Sequence, residues 1–164
     1  MFSSFATSVG RLVAIATIGF WAASAAAAPV GPFAGLGGIW SGRGQVHLSN
    51  GAKERLHCRA TYQVGADGRT MHQLLRCASD SYKFELISDV ESDGNQISGR
   101  WSERTHSLAG NLSGRARGRR LDVLVKGDVF NAEVTMISQG NRQTVTISSP
   151  GSQLSGVAIS LRRS

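Results

Sequence analysis

Apolar and polar residues alternate along most of the chain after position 38, the pattern of strands that bury one face. In the first such segment Trp40, Val46 and Leu48 share one face, while Arg43 and His47 lie on the other. No helical period of 3.6 residues follows the N-terminal segment. The breaks between alternating runs predict about ten strands, at 39–48, 54–64, 70–78, 81–90, 96–103, 107–117, 120–126, 129–138, 143–149 and 154–162.

Turn dipeptides predict how successive strands pair. Asp67-Gly68 favours a two-residue turn with positive φ, and a hairpin centred there pairs Cys58 with Cys77. Each such register brings apolar residues together on one face, and a slip of one residue would turn every side chain over. Turns at Asp93-Gly94, Gly127-Asp128 and Gly140-Asn141 likewise pair Val90 with Ile97, Leu86 with Trp101, Val125 with Phe130, and Met136 with Val145.

Closure of the sheet is expected because an open meander of this length would leave two long unpaired edges. Inward glycines at positions 42, 44, 110 and 114 suit sharp corners or close backbone approach. The sequence therefore predicts an all-β fold. It is an antiparallel up-and-down meander of about 8–10 strands, closed into a small barrel, in a single domain that spans 38–164.

The first 28 residues have the order of a secretory signal peptide. Arg11 precedes an apolar run, and alanines lead up to Pro29. The run is shorter than the roughly 20 apolar residues that a transmembrane helix needs. We therefore expect cleavage after Ala27 or Ala28, a periplasmic or secreted protein that does not span the membrane once cleaved, and a flexible lead-in over 29–37.

The chain has two cysteines, Cys58 and Cys77, on the inward face of one predicted hairpin. In an exported chain such a pair is expected to form a disulfide. A two-residue turn would make it a hydrogen-bonded pair with Cα atoms about 5.5 Å apart. Two buried free thiols are the alternative, and no Cys-x-x-Cys motif indicates redox activity.

Positive charge dominates the chain. Without Arg11, 17 Lys and Arg residues remain against 11 Asp and Glu, a balance of +6. Together with the Asp67-Gly68 hairpin, a bulged turn at Asn50-Gly51 and a turn at Ser79-Asp80 would align four outward cations in a row across the first four strands. Like charges directly opposite one another destabilise a sheet pair, so the row predicts an anionic counterpart, such as lipopolysaccharide phosphate, acidic glycan or an acidic partner. Its members are Arg43, Arg59, Arg76 and Lys83.

The alternative is that Glu54, Asp80 and Glu85 screen this row and that arginine serves only as a surface residue. A second basic cluster lies at positions 115, 117, 119 and 120. Nucleic acid is disfavoured as a partner by the predicted export and by the few outward aromatic residues available for stacking.

Catalytic and metal-binding patterns are weak. The histidines, at 47, 57, 72 and 106, do not face one another in the predicted register, and no spacing offers a metal cage. No serine lies in a Gly-x-Ser-x-Gly elbow. Glu103 follows Trp101 on the inward face and, with Glu85 or Glu133, could supply acid–base chemistry, although a strand-end glutamate beside a turn is the ordinary explanation. We expect no enzyme activity, no cofactor and no metal.

Gly38-Ile39-Trp40 at the start of the first strand, followed by a meander of hairpins, resembles the calycin-type barrels. This group includes lipocalins, avidins and small bacterial periplasmic protease inhibitors. In lipocalins the tryptophan lies under an arginine near the end of the barrel, a role that the resemblance would give to Arg162 or Arg163. About ten strands and no late helix depart from the lipocalin pattern. In the inhibitors an N-terminal trunk enters the protease, and 29–37 could serve as one.

The resemblance implies an exported binding protein whose lumen takes a small apolar or amphipathic ligand. The expected lining is Trp40, Tyr62, Phe84, Trp101 and Phe130, with Met71 and Met136. The same side chains could fill the core completely, and the sequence slightly favours that filled core. A protein-interaction module with a basic outer face, such as an inhibitor, is the second interpretation. An outer-membrane barrel is the weakest interpretation, since the chain ends Leu-Arg-Arg-Ser and not in an aromatic residue. Ligand identity and oligomeric state stay open.

Overall fold

The structure, a computed structural model, describes residues 30–164. The signal peptide expected over 1–28 lies outside the described residues. No helix in the described part of the chain is long and apolar enough to cross a membrane. The ten strands are β1 (Gly38–Leu48), β2 (Lys53–Val64), β3 (Thr70–Ala78), β4 (Lys83–Asp93), β5 (Gln96–Glu103), β6 (Leu108–Arg117), β7 (Arg120–Gly127), β8 (Asn131–Gln139), β9 (Arg142–Ser148) and β10 (Leu154–Arg163).

Each strand pairs antiparallel with the next, and β10 pairs with β1 to close the barrel. The predicted all-β meander barrel is confirmed, and closure leaves no strand edge unpaired. A Cβ atom on Gly42 or Gly110 would overlap a backbone oxygen of the neighbouring strand. The inward glycines therefore mark close backbone approach, as expected.

Two of the four predicted hairpin registers are correct. Val64 faces Met71 in β2–β3, and Met136 faces Val145 in β8–β9. The other two turns are centred one residue later than predicted, which moves the pairing by two positions and keeps every side chain on its expected face. Their observed pairs are Val90–Gly99, Ser88–Trp101, Leu86–Glu103 and Val125–Ala132.

The two ends of the barrel differ. One end, the closed end, carries the tight turns and residues 31–37. Its Gly31 N–H donates to Asp67 O at 2.8 Å, the Phe33 N–H donates to Gly68 O at 3.0 Å, and the Phe33 side chain is fully buried. The predicted lead-in is therefore packed against the barrel in its described part. The opposite end, the mouth, carries the loops 49–52, 79–82, 104–107, 128–130 and 149–153.

Cys58 and Cys77 form a disulfide between β2 and β3, as predicted. Their Cα atoms are 4.2 Å apart, closer than expected. The Gly65 N–H donates to Thr70 O, so alternation along the ladder makes Cys58–Cys77 a non-hydrogen-bonded pair, which is the closer kind. Closing a loop of 19 residues corresponds to about 3 kcal/mol of stability in the chain-entropy model.

Candidate ligand-binding cavity

A cavity of about 440 Å³ occupies the barrel lumen and reaches the mouth. This volume lies within the usual range for small-molecule sites, about 300–1,000 Å³. The slightly favoured filled core is therefore wrong, because the inward side chains of ten strands leave the centre of the lumen empty. Six of the seven predicted residues line the cavity: Tyr62, Met71, Phe84, Trp101, Phe130 and Met136.

Trp40 is the exception, and its predicted place in the ligand site is wrong. It is fully buried at the closed end beside Phe33 and Leu36, and its Nε1–H donates to Leu36 O at 2.8 Å. The Arg163 guanidinium lies 4.5 Å from the centre of its ring and donates to the backbone oxygens of Gly35 and Gly37. Trp40 stands where the lead-in folds back over the barrel, so it seals the closed end instead of facing the lumen.

The cavity wall is almost entirely apolar. Trp101 and Phe130 meet edge to face at 6.0 Å, and Trp101 donates its Nε1–H to Lys126 O at 3.3 Å. The Tyr62 hydroxyl donates to Gln143 Oε1 across the barrel at 2.7 Å, and Gln143 Nε2 donates to Ser138 at 3.1 Å. Burial raises the pKa of Tyr62 well above its usual range, although the bond to Gln143 acts in the opposite direction.

Away from the loops of the mouth, two other polar side chains line the cavity without a protein partner. Gln73 on β3 and Ser88 on β4 are cross-strand neighbours. Ser88 is only 4% exposed. In the described part of the chain, neither side chain makes a hydrogen bond. They therefore present free donors and acceptors inside an apolar space.

Glu103 organises the mouth. The residue is 8% exposed, and its Oε1 accepts the backbone N–H groups of Glu85 and Thr105, each at 2.9 Å. Its Oε2 accepts the His106 N–H at 2.7 Å and lies 2.8 Å from His106 Nδ1. Burial by itself raises the pKa of Glu103, but these four hydrogen bonds together outweigh it and lower the pKa to about 2.

Tyr82 covers His106 at the rim of the mouth. The two rings stack with centroids 5.4 Å apart and an interplanar angle of 16°. Burial raises the pKa of Tyr82, and the negative charge of Glu103 raises it further. Both carboxylate oxygens of Glu103 are engaged in holding the loop 104–107, so the ordinary explanation of a glutamate beside a turn fits this residue better than an acid–base role.

The predicted row Arg43–Arg59–Arg76–Lys83 does not form. Arg59 faces Arg76, as expected, but Arg43 faces His57 and Lys83 faces Ala78. The turn between β3 and β4 is centred one residue later than predicted, on Asp80 and Ser81. This places Glu85 opposite Arg76, where the two side chains form an ion pair at 2.7 Å.

A different basic row lies on the outer wall. Arg162 faces Arg142 on one side and Ser41 on the other, and Ser41 faces Arg59. The outward positions of β9, β10, β1, β2 and β3 contain no acidic residue. We call the arginines at these outward positions the arginine face: Arg43, Arg55, Arg59, Arg76, Arg142 and Arg162.

The histidines stay apart, and no group of three or more metal-binding side chains forms among residues 30–164. His72 forms a 2.7 Å contact with Asp89 on the outer wall. Sequence reasoning missed Gln73 and Ser88, although both interrupt inward runs of apolar residues and could have been noticed there. It also missed Phe33 and Tyr82, which lie in a lead-in and a turn where alternation carries no signal.

The comparisons with known proteins concern the fold. No protein-family model and no curated protein matches the sequence. Among solved structures, the S-type phycobiliprotein lyase of Guillardia theta is similar to this chain, with a TM-score of 0.57 and 10% identity over 80% of this chain and 90% of that one. This similarity supports the barrel fold alone. Membership in the lipocalins or the protease inhibitors stays a prediction.

Proposed function

We propose that this chain is an exported, non-enzymatic binding protein whose barrel lumen holds a small apolar or amphipathic molecule. The observation that carries the proposal is the cavity of about 440 Å³, apolar in the lumen and bordered by polar groups at the mouth. Burying an apolar ligand surface against such a wall contributes about 25 cal/mol per Å² before the costs of association.

The absence of catalysis is part of the proposal. Glu103 is the one carboxylate among the residues that line the cavity, and its four hydrogen bonds hold a loop. A general acid or base needs a group free to exchange a proton with the bound molecule. The phycobiliprotein lyase shares the fold at 10% identity, which transfers no catalytic residue to this chain.

Export is supported by the N-terminal sequence and by the disulfide. Residues 1–28 have the order of a signal peptide, and Cys58–Cys77 suits an oxidising compartment. We therefore propose that this binding protein acts in the periplasm or outside the cell.

The first test measures binding in the lumen of the mature protein. An apolar dye such as Nile red should bind and change the fluorescence of Trp101, which lines the cavity. Ala132→Phe adds a ring to a small residue of the cavity wall, so we expect it to weaken dye binding at least tenfold. The measurement is a fluorescence titration, together with native mass spectrometry of freshly purified protein to detect a retained molecule.

Ala158→Phe is the matched control, because Ala158 is exposed on the outer wall of β10. It should bind the dye as the wild type does. Trp101→Phe should remove the fluorescence change, whereas Trp40→Phe should keep it. Equal binding by the Ala132→Phe variant, once urea unfolding shows that it is folded, would rule out the lumen as the site.

A second candidate function rests on the arginine face. Arg59–Arg76 and Arg142–Arg162 are like-charge pairs directly opposite one another, an arrangement that destabilises a sheet pair. Glu85 compensates the charge of Arg76, whereas Arg59, Arg142 and Arg162 form no ion pair in the described part of the chain. Arginine and lysine lie on the other strands as well, but there they are interspersed with acidic residues, whereas the outward positions of β9, β10, β1, β2 and β3 contain none. An anionic envelope component, such as lipopolysaccharide phosphate, would fit this face.

We expect Arg59→Gln/Arg162→Gln to weaken retention on heparin and on lipopolysaccharide several-fold at low salt, because two central charges are lost. Arg100→Gln/Arg115→Gln makes the same change of charge on β5 and β6 and should have little effect. Equal losses from both double variants would show that net charge alone accounts for retention.

A further inference from the structure

Below the loops of the mouth, the described lumen contains one polar position that its own wall leaves without a partner. Gln73 lies opposite Tyr62 on one side and Ser88 on the other, and Ser88 lies opposite Trp101. Along their strands both residues lie between apolar inward neighbours, Gln73 between Met71 and Leu75. The pair therefore forms a polar spot on an apolar wall, away from the loops of the mouth.

This polar spot differs from the inward groups of Tyr62, Gln143 and Glu103, which have protein partners. Tyr62 and Gln143 satisfy one another, and both oxygens of Glu103 are occupied. Gln73 and Ser88 have no hydrogen-bond partner in the described part of the chain, and Ser88 is nine-tenths buried. No fully buried side-chain polar atom in the described part of the chain lacks a partner, so the polar atoms of Gln73 and Ser88 reach the open space of the cavity. An apolar ligand that covered them would leave them unpaired at a cost in free energy, so the spot is suited to a polar group brought by a ligand.

The charge of the surroundings limits what that group can be. No lysine or arginine lines the cavity. The titratable groups on its wall are Tyr62, Tyr82, Glu103 and His106, of which Glu103 and His106 are joined to each other at the mouth. A buried carboxylate or phosphate beside Gln73 would have no counter-charge and would lose its hydration. A neutral group can use the amide of Gln73 as donor and acceptor, and the hydroxyl of Ser88 in either role.

We propose that the ligand is a chain-like amphipath that carries an uncharged hydrogen-bonding group, such as a hydroxyl or primary amide, which Gln73 and Ser88 hold inside the lumen. This inference rests on the proposed function, since it concerns the ligand of the same cavity. The apolar chain contacts the wall toward the mouth, lined by Phe84, Leu86 and Leu108. An acid of the same chain length can enter only with its carboxylate left at the mouth.

The test compares decanol, decanamide and decanoic acid at neutral pH by displacement of Nile red and by the fluorescence of Trp101, which faces Ser88. The wild-type mature protein should bind decanol and decanamide about tenfold more tightly than decanoate. Gln73→Leu keeps the approximate size of the side chain and removes its polar groups. It should weaken binding of the alcohol and the amide roughly five- to tenfold, while decanoate is unchanged within twofold.

Ser88→Ala is the gentler second variant and should weaken the same two ligands about threefold. Gln63→Leu makes the same substitution at an exposed position of β2, opposite His72, and should bind all three ligands as the wild type does. Urea unfolding of each variant checks that the barrel is intact.

The possible outcomes separate the two proposals. If neither the dye nor any of the three compounds binds the wild type, the proposed function fails. If they bind but Gln73→Leu and Ser88→Ala leave decanol and decanamide unchanged, the lumen is a ligand site and the polar spot is merely hydrated. If decanoate binds most tightly and loses affinity in these variants, the spot holds an anion and the inference of a neutral group is wrong.

Discussion

Replacing Trp40 with alanine should lower the free energy of unfolding by about 3–5 kcal/mol. Trp40 is fully buried at the closed end, and its loss leaves a large cavity that the rigid ladder of β1, β2 and β10 cannot fill by collapsing. The change also removes the hydrogen bond to Leu36 O and the edge-to-face contact with Tyr62, whose ring centre lies 6.3 Å away. It further removes the ring on which the Arg163 guanidinium packs. Urea unfolding of the mature protein with its disulfide intact measures the effect.

Trp40→Phe separates volume from hydrogen bonding. It keeps most of the buried ring and loses the Nε1–H donor, so it should cost clearly less than Trp40→Ala. Trp101→Ala is the matched control for the loss of an indole, because Trp101 borders space that is already empty. It should destabilise the barrel less than Trp40→Ala does. Similar costs at both positions would contradict the view that Trp40 seals the closed end.

Glu103 should make the stability of the barrel strongly dependent on acid pH. Its pKa falls from 4.5 to about 2 on folding, so the folded state binds fewer protons than the unfolded state between these values. The carboxylate therefore contributes stability that is complete above about pH 4.5 and is lost as the pH falls toward 2. A shift of this size corresponds to about 3 kcal/mol, as an order of magnitude.

The prediction is tested by urea unfolding at several pH values between 2 and 7. Glu103→Gln should lower stability near neutral pH, because its amide nitrogen cannot accept from His106, and should flatten the decline toward acid. Part of the decline should remain, since Glu54, Glu85 and Asp122 also have lowered pKa values. Glu133→Gln, at an exposed position of β8, should keep the wild-type profile. A Glu103→Gln variant with that same profile would exclude the carboxylate as the source.

The mouth connects this acid dependence to the proposed binding function. Glu103 fixes the loop 104–107, and that loop places His106 under Tyr82 beside the entrance. The polar side chains at the entrance are therefore held by the barrel itself. A ligand meets a preformed opening, and this favours tight binding because fewer groups are ordered when it enters.

The amino-acid sequence by itself determined the strands, the two faces of each strand and the disulfide. Alternation has a period of two, so an error of one residue in a turn centre moves the pairing by two positions and leaves each face unchanged. Cys58 and Cys77 were matched correctly because the turn at Asp67-Gly68 was centred correctly. Ser88 kept its inward face although the centre of the β4–β5 turn was one residue off. Barrel closure also followed from the sequence, because ten hairpin-connected strands leave two edges that must be covered.

Tertiary structure alone decided what occupies the space inside and which charges meet outside. Whether inward side chains fill a barrel depends on its radius and strand tilt, which alternation does not encode. Trp40 is shut off from the lumen because the lead-in packs against it at the closed end. No periodic pattern links the lead-in to β1, so the sequence did not predict this contact. The arginine face depends on exact cross-strand partners, where a shift of two positions replaces Lys83 by Glu85 opposite Arg76. Local pattern specifies the side of the sheet on which a residue lies, whereas its neighbours are specified only when the whole barrel closes.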